Sequence, residues 1–425
     1  MKEKTRLKLI LFLITLCVVA SLGFARFSFG AILPFMRVGL DLDYQQTGFV
    51  ASGIFLGYLL SSFVSGYFVI RFSAKRVILV ALLLILLSMG VISFSNHLVM
   101  AALGSFLLGI GSGGANIPAL GLIPRWFPPN RRGMAMGIAN SGSGIGMSFS
   151  GIAVPMLITL HPDLGWRYSW WVLAVFILII LLLNLIFLKN DPKEVGFINS
   201  GTEKNGNRHS QTEKVKPNNA SVYKNKKVWA IGLSYMAWGF SYLIFSTFLV
   251  DYLMTDVGFE KEKAGQYFAV AGFVSIFSGF LWGGISDRFG RLSTLSFVFF
   301  LQFVLLLLMI MTSNSILLFF EVMLYGLSLW AAPTITNVSI TEIVEPRVIP
   351  IAMGFLTLFF GLGQFISPII TGILIDYANN YVLSFIVSSA VILVGSFILF
   401  VLSNKKIRIV FKQKKIKSLK NLKTN

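Results

Sequence analysis

Gly283-Gly284-Ile285-Ser286-Asp287-Arg288-Phe289-Gly290-Arg291 joins two long apolar runs. A degenerate copy, Gly66-Tyr67-Phe68-Val69-Ile70-Arg71-Phe72-Ser73-Ala74-Lys75-Arg76, joins two others 217 residues earlier. The same offset sets Gly48 on Gly265, Gly109 on Gly326, Ala135-Met136-Gly137 on Ala352-Met353-Gly354, and Gly144 and Gly146 on Gly361 and Gly363. One offset serving several separate segments marks a parallel internal repeat. Two parallel repeats of membrane helices form a transporter architecture whose binding site lies between the halves.

The runs around these loops reach the length of about 20 residues that a helix needs to cross the hydrocarbon core. They cover 9–36, 44–70, 77–95, 98–124, 133–160, 167–188, 228–254, 264–285, 292–312, 316–341, 350–374 and 381–402. The chain therefore reads as an all-α integral membrane protein of about twelve transmembrane helices in two six-helix repeats. Residues 1–188 are expected to form the N-terminal bundle and 228–402 the C-terminal one. A polar linker, 189–227, separates them, and a basic tail, 403–425, follows. Composition agrees: 56% of the chain is hydrophobic and 12% charged, half of what a soluble surface of this size carries. Lys2, Lys4, Arg6 and Lys8 ahead of the first run imitate a signal peptide, but the run is too long, and it is read as a retained first helix.

The net charge of +19 does not point to nucleic acid, because the basic residues lie between apolar runs. With the N-terminus inside, 31 of the 36 Lys and Arg fall in inner segments and four in outer ones (Arg37, Arg167, Lys261, Lys263). That asymmetry places both termini and the linker in the cytoplasm of a cell-membrane protein. Cys17 reads as a small hydrophobe. His97, His161 and His209 fall in loops without metal-ligand spacing, and no phosphate-binding loop is present. No cofactor is expected, and nothing suggests an enzyme.

The Gly283–Arg291 string matches the G-x-x-x-D-R-x-G-R loop signature of the major facilitator superfamily, and the resemblance covers about residues 8–402. Physically the loop is a gate. A carboxylate such as Asp287 can cap a neighbouring helix, and Arg288 and Arg291 can pair with carboxylates of the facing half. The first copy offers Arg71, Lys75 and Arg76, with Ile70 where the signature has Asp and Ser73 where it has Gly. Those three cations equally suit a purely topological role. Glycines at 133, 137, 142, 144, 146 and 151, repeated at 354, 361, 363 and 372, let helix backbones approach closely. Arg125-Trp126-Phe127-Pro128-Pro129-Asn130-Arg131-Arg132-Gly133 resembles the fourth-to-fifth-helix loop of the oxalate/formate, nitrate/nitrite and YbfB/YjiJ-type branches. Asp191-Pro192-Lys193-Glu194-Val195-Gly196 resembles the segment after the sixth helix in oxalate/formate-like and monocarboxylate-like members. Together these strings favour the anion-transporting side of the superfamily.

Arg26 is the only clear charge well inside a predicted span. Intramembrane ionisable residues usually face a cavity or a partner, and a guanidinium suits a carboxylate. Its spacing to Pro34 resembles that of organic-anion members, where the arginine serves substrate binding or coupling. Ala25 stands where those members often carry an acid, and Ser105 stands where the fourth-helix arginine is expected. The alternative for Arg26 is structural, a snorkelling side chain or a bridge to a backbone carbonyl. Tyr58, Asn116, Asn140, Trp238, Tyr242, Trp330, Asn337 and Gln364 are candidates to complete a pocket or, equally, to serve as packing groups. Tyr242 falls on Arg26 at an offset of 216.

These features read as a secondary transporter of a small solute, expected to be an organic or inorganic anion, working by alternating access as a monomer in the lipid bilayer. A multidrug or sugar-derivative exporter would use the aromatic residues and leave Arg26 structural. A non-transporting membrane sensor would use the basic tail to hold a partner.

Overall fold

The structure, a computed structural model, describes residues 3–195 and 220–421. Most of the linker, His209 and the last four residues of the tail lie outside the described residues. Among the described residues, twelve helices are long and apolar enough to cross a membrane. In the first half they are α1 (Thr5–Gly39), α2 (Tyr44–Phe72), α3 (Ala74–Ser93), α4 (Leu98–Trp126), α5 (Pro129–Leu160) and α6 (Gly165–Phe187). In the second half they are α7 (Lys226–Thr255), α8 (Lys261–Phe289), α9 (Arg291–Met311), α10 (Ser315–Thr341), α11 (Pro346–Ala378) and α12 (Val382–Asn404). Among the described residues there is no strand. The backbone of the last helix runs on to Asn421.

Polar residues set the helix ends. Asp43 and Gln46 form a reciprocal capping box at the start of α2, satisfying two otherwise orphan donors. His97, Asn225 and Asn314 accept backbone N–H groups at the starts of α4, α7 and α10. Ser73 and Gly290, one repeat offset apart, make the turns after α2 and α8 with φ of 80° and 92°. Glycine takes that conformation freely, whereas a Cβ at such a position costs on the order of 1–3 kcal/mol. Ser73→Gly is therefore expected to raise the midpoint of thermal unfolding in detergent. An unchanged or lower midpoint would show that the serine is not strained.

The two halves meet along α2 against α11, α5 against α8, and α1 against α7. Between odd and even connections the bundle has a terminal face, which carries both chain ends, and a far face. Glycines decide how closely the seams approach. A Cβ at Gly144 would stand 2.5 Å from the Gly272 carbonyl oxygen, and one at Gly151 would stand 2.6 Å from the Ala269 nitrogen. Gly48 faces Pro368, and Gly372 faces Tyr44, with similarly little room. On the terminal face the same inventory behaves differently: Cβ atoms at Gly66, Gly133, Gly137 and Gly354 would meet nothing within 4 Å. The halves are thus packed at the far face and separated at the terminal face.

Candidate functional site

Arg26 owes its place to a departure from α-helix. Residues Val19–Phe27 wind as a π-helix inside α1, and all nine are buried. A π turn takes in about one residue more than an α turn, and such segments recur at functional sites. Arg26, at the end of this segment, meets Tyr242 of the second half. Gly23 lets this segment lie close against α5, since a Cβ there would stand 2.7 Å from the Gly146 α-carbon.

Arg26 is 6% exposed. It donates from an Nη to the Tyr242 hydroxyl at 3.2 Å, so the two repeat-related positions touch across the seam. The Gln364 side chain bonds the same hydroxyl. The guanidinium carbon stands 4.4 Å above the Tyr58 ring and 5.0 Å above Phe55, contacts that attract a cation to the ring faces. Asn116 donates to the Tyr58 hydroxyl at 3.1 Å. Behind Tyr242, Trp238 stacks at 4.5 Å and Phe360 closes on Trp238 at 5.3 Å. Trp330 meets Phe27 edge to face at 5.5 Å. It sits where α10 is interrupted, and its freed backbone N–H donates to Ser278. Seven of the nine pocket candidates therefore converge: Arg26, Tyr58, Asn116, Trp238, Tyr242, Trp330 and Gln364. Asn140 and Asn337 do not join them; both are exposed positions of α5 and α10.

Among the described residues no carboxylate pairs with Arg26; the ion pairs lie elsewhere. Its Nε is buried without a partner, as are Asn116 Oδ1 and Gln364 Oε1. A buried polar atom without a partner costs about 1–3 kcal/mol, and more when it is charged. All three atoms belong to the cluster built around the Tyr58 and Tyr242 hydroxyls.

The terminal-face gate takes a different form from the expected cross-half latch. Asp287 pairs with Arg291 one turn on, and Arg291 also reaches Glu342 at 3.3 Å, all within the second half. Arg71 donates to Tyr67, and the Lys75 ammonium donates to the Leu185 carbonyl oxygen. Arg76 and Arg288 are exposed. With this face open, the facing half is out of reach.

The latch that is made lies on the far face, and sequence reading missed it. Arg37 of α1 stands 3.7 Å from Asp251 of α7. Tyr381 donates to the other Asp251 oxygen at 2.5 Å, and the Arg37 guanidinium lies 4.2 Å above the Tyr44 ring. Asp376 of α11 accepts the backbone N–H groups of Tyr44 and Gln45 at 3.1 and 2.7 Å, capping α2 across the seam. Thr159 of α5 donates to Glu262 of α8. Asp251 and Glu321 are both buried within membrane helices, which corrects the expectation that Arg26 stands alone as a charge inside a span. Glu321 accepts from Thr312 at 3.0 Å near the far end of α10. The available signal was an acid at the end of an apolar run followed by tyrosine, Leu-Val-Asp251-Tyr252 and Leu-Ile-Asp376-Tyr377.

Two repeated halves of membrane-crossing helices, joined on one face and parted on the other around a polar centre, define a membrane transporter. The chain belongs to the Major Facilitator Superfamily, whose family model matches residues 15–342, and it is a transporter, not an enzyme. It is 24% identical over 390 residues to a probable sulfoacetate transporter of Cupriavidus necator, covering 87% of this chain and 88% of that one. It is 26% identical over 420 residues to a hexuronate transporter of Bacillus subtilis, covering 94% of each. Identity to a nitrite extrusion protein of Bacillus subtilis is 26% over 346 residues, 79% of each chain. Among solved structures, a bacterial homologue of the human lysosomal transporter Spinster, in an inward-facing and occupied conformation, superposes with a TM-score of 0.74. That match has 16% identity and covers 92% of this chain and 96% of the other.

Proposed function

We propose that the protein is a secondary transporter of a small anion, with Arg26 as the solute's counter-charge. The observation that carries this reading is the buried guanidinium between the halves, partnered by a phenol and aromatic rings but by no carboxylate. A charge in that position is costly without a use, and a carboxylate offered to its free edge can take two parallel hydrogen bonds. The relatives named for sulfoacetate, hexuronate and nitrite all handle anions, which supports the same solute class here. The Lys and Arg bias puts the terminal face in the cytoplasm of the cell membrane, so the structure is read as open to the inside and latched outside. Transport then alternates between this state and one in which the far-face latch parts and the Asp287 and Arg71 loops close. The 189–227 linker and the basic tail lie on the cytoplasmic side in this arrangement, each half moves as one bundle, and the protein works as a monomer. No bound cofactor enters the cycle.

Uptake into proteoliposomes tests the reading. Formate, acetate, nitrate and gluconate are offered with glucose and glycerol as neutral controls. Saturable uptake of at least one anion and none of the neutral solutes is expected. Uptake of neutral solutes alone would assign Arg26 a structural role.

A further inference from the structure

The charge of the central site limits the charge of its solute. Arg26 is the one cation in the cluster, because Arg37, further along the same helix, is committed to Asp251. Everything else that faces Arg26 is neutral: the Tyr58 and Tyr242 phenols, the Asn116 and Gln364 amides, and ring faces. The neutral groups are also incompletely used. Asn116 bonds Tyr58 through one amide atom and Gln364 bonds Tyr242 through one, and the other polar atom of each is without a partner. Turning either amide over exchanges the two atoms and still leaves one of them unpaired.

We propose that the site selects monoanions that carry an uncharged hydrogen-bonding body, and rejects dianions of the same size. The proposal rests on the reading of Arg26 as the solute's counter-charge. The first carboxylate entering the cluster meets the open edge of the guanidinium, and the pair is neutral. A second carboxylate meets phenols, amides and aromatic faces, none of which offsets the loss of its hydration. Hydroxyl or carbonyl groups in the same place cost far less to desolvate and can take the spare amide atoms. The Tyr58 and Phe55 faces beside the guanidinium suit the apolar side of such a body and repel anionic oxygen, since the ring faces are electron-rich.

Matched pairs test this on purified full-length protein: acetate with malonate, glycerate with tartronate, and gluconate with glucarate, at pH 7.5. Affinity is read by titration against thermal unfolding. Each monoanion that binds should do so at least about tenfold more tightly than its dianion, which is one decade in the binding constant. Asn116→Lys and, independently, Gln364→Lys add a second cation and should narrow or reverse the gap. Equal affinity within the pairs, with both partners lost in Arg26→Ala, would overturn the monoanion selection while leaving Arg26 as an anion site. Undiminished binding of both partners by Arg26→Ala would overturn the anion site and the selection together. A panel in which no monoanion binds would also overturn the proposal, since the site as drawn asks only for one carboxylate beside Arg26.

Discussion

Arg26→Ala is expected to abolish measurable anion uptake in proteoliposomes while the protein still inserts and runs as a single species in detergent. The guanidinium is the one cation of a buried cluster, so no neighbour replaces it. Losing a desolvated charge pair of this kind typically costs ~2–5 kcal/mol, or about 30-fold and more in affinity. Arg26→Lys should restore only part of the activity. An ammonium keeps the charge but loses the planar fork, and it sits less well against the Tyr58 and Phe55 faces. Tyr242→Phe separates the two contributions of the seam contact. It removes the hydroxyl that Arg26 and Gln364 share and keeps the stack on Trp238. Anion uptake by Arg26→Ala at the wild-type rate would make the arginine structural.

Asp251→Asn is expected to open the far face. The Asp251 side chain is 2% exposed and is held by Arg37 from the other half and by the Tyr381 hydroxyl. Removing one member of a buried ion pair strands the other and costs about 3–5 kcal/mol, roughly two to three and a half powers of ten in an equilibrium. The whole cost falls on the latched state, because parting the halves lets water solvate Arg37. Ser52 reports the change: it is buried and donates to the Phe365 carbonyl oxygen across the seam. In a Cys17→Ser, Ser52→Cys background, a membrane-impermeant maleimide added to intact cells should label Asp251→Asn at least about a hundredfold faster than its parent. Arg37→Ala should behave alike. Equal labelling rates would mean that the glycine seams hold the far face closed without the ion pair. Labelling confined to inside-out vesicles would reverse the orientation assigned from the Lys and Arg count.

The elements that were legible in the sequence are those that lipid dictates. A hydrocarbon core demands long apolar runs with internally satisfied backbones, so the twelve helices could be counted directly. Close packing without a hydrophobic driving force demands small residues, so Gly144 and Gly151 marked a closely packed helix, though not its partner. Arg26 was visible because a charge in an apolar run is expensive, and Tyr242 because the repeat maps it onto Arg26. The π-helix at Val19–Phe27 was not legible, since it changes hydrogen-bond spacing and leaves composition untouched. Arg37, Asp251 and Asp376 were passed over because charges near the ends of apolar runs look like ordinary interfacial residues. Their pairing depends on which helices meet across the seam. The gate at Asp287 shows a different limit. Its residues are present, but a residue pattern does not say which partner each side chain takes, and here Asp287 pairs with Arg291 in its own half.

If one guanidinium between the halves binds the solute's negative charge, its removal must weaken binding itself. Calorimetric titration of a carried monoanion into purified wild-type and Arg26→Ala protein tests it most directly. A single site is expected in the wild type, with affinity weakened about 30-fold or more in the variant. Equal affinities in the two proteins would contradict it.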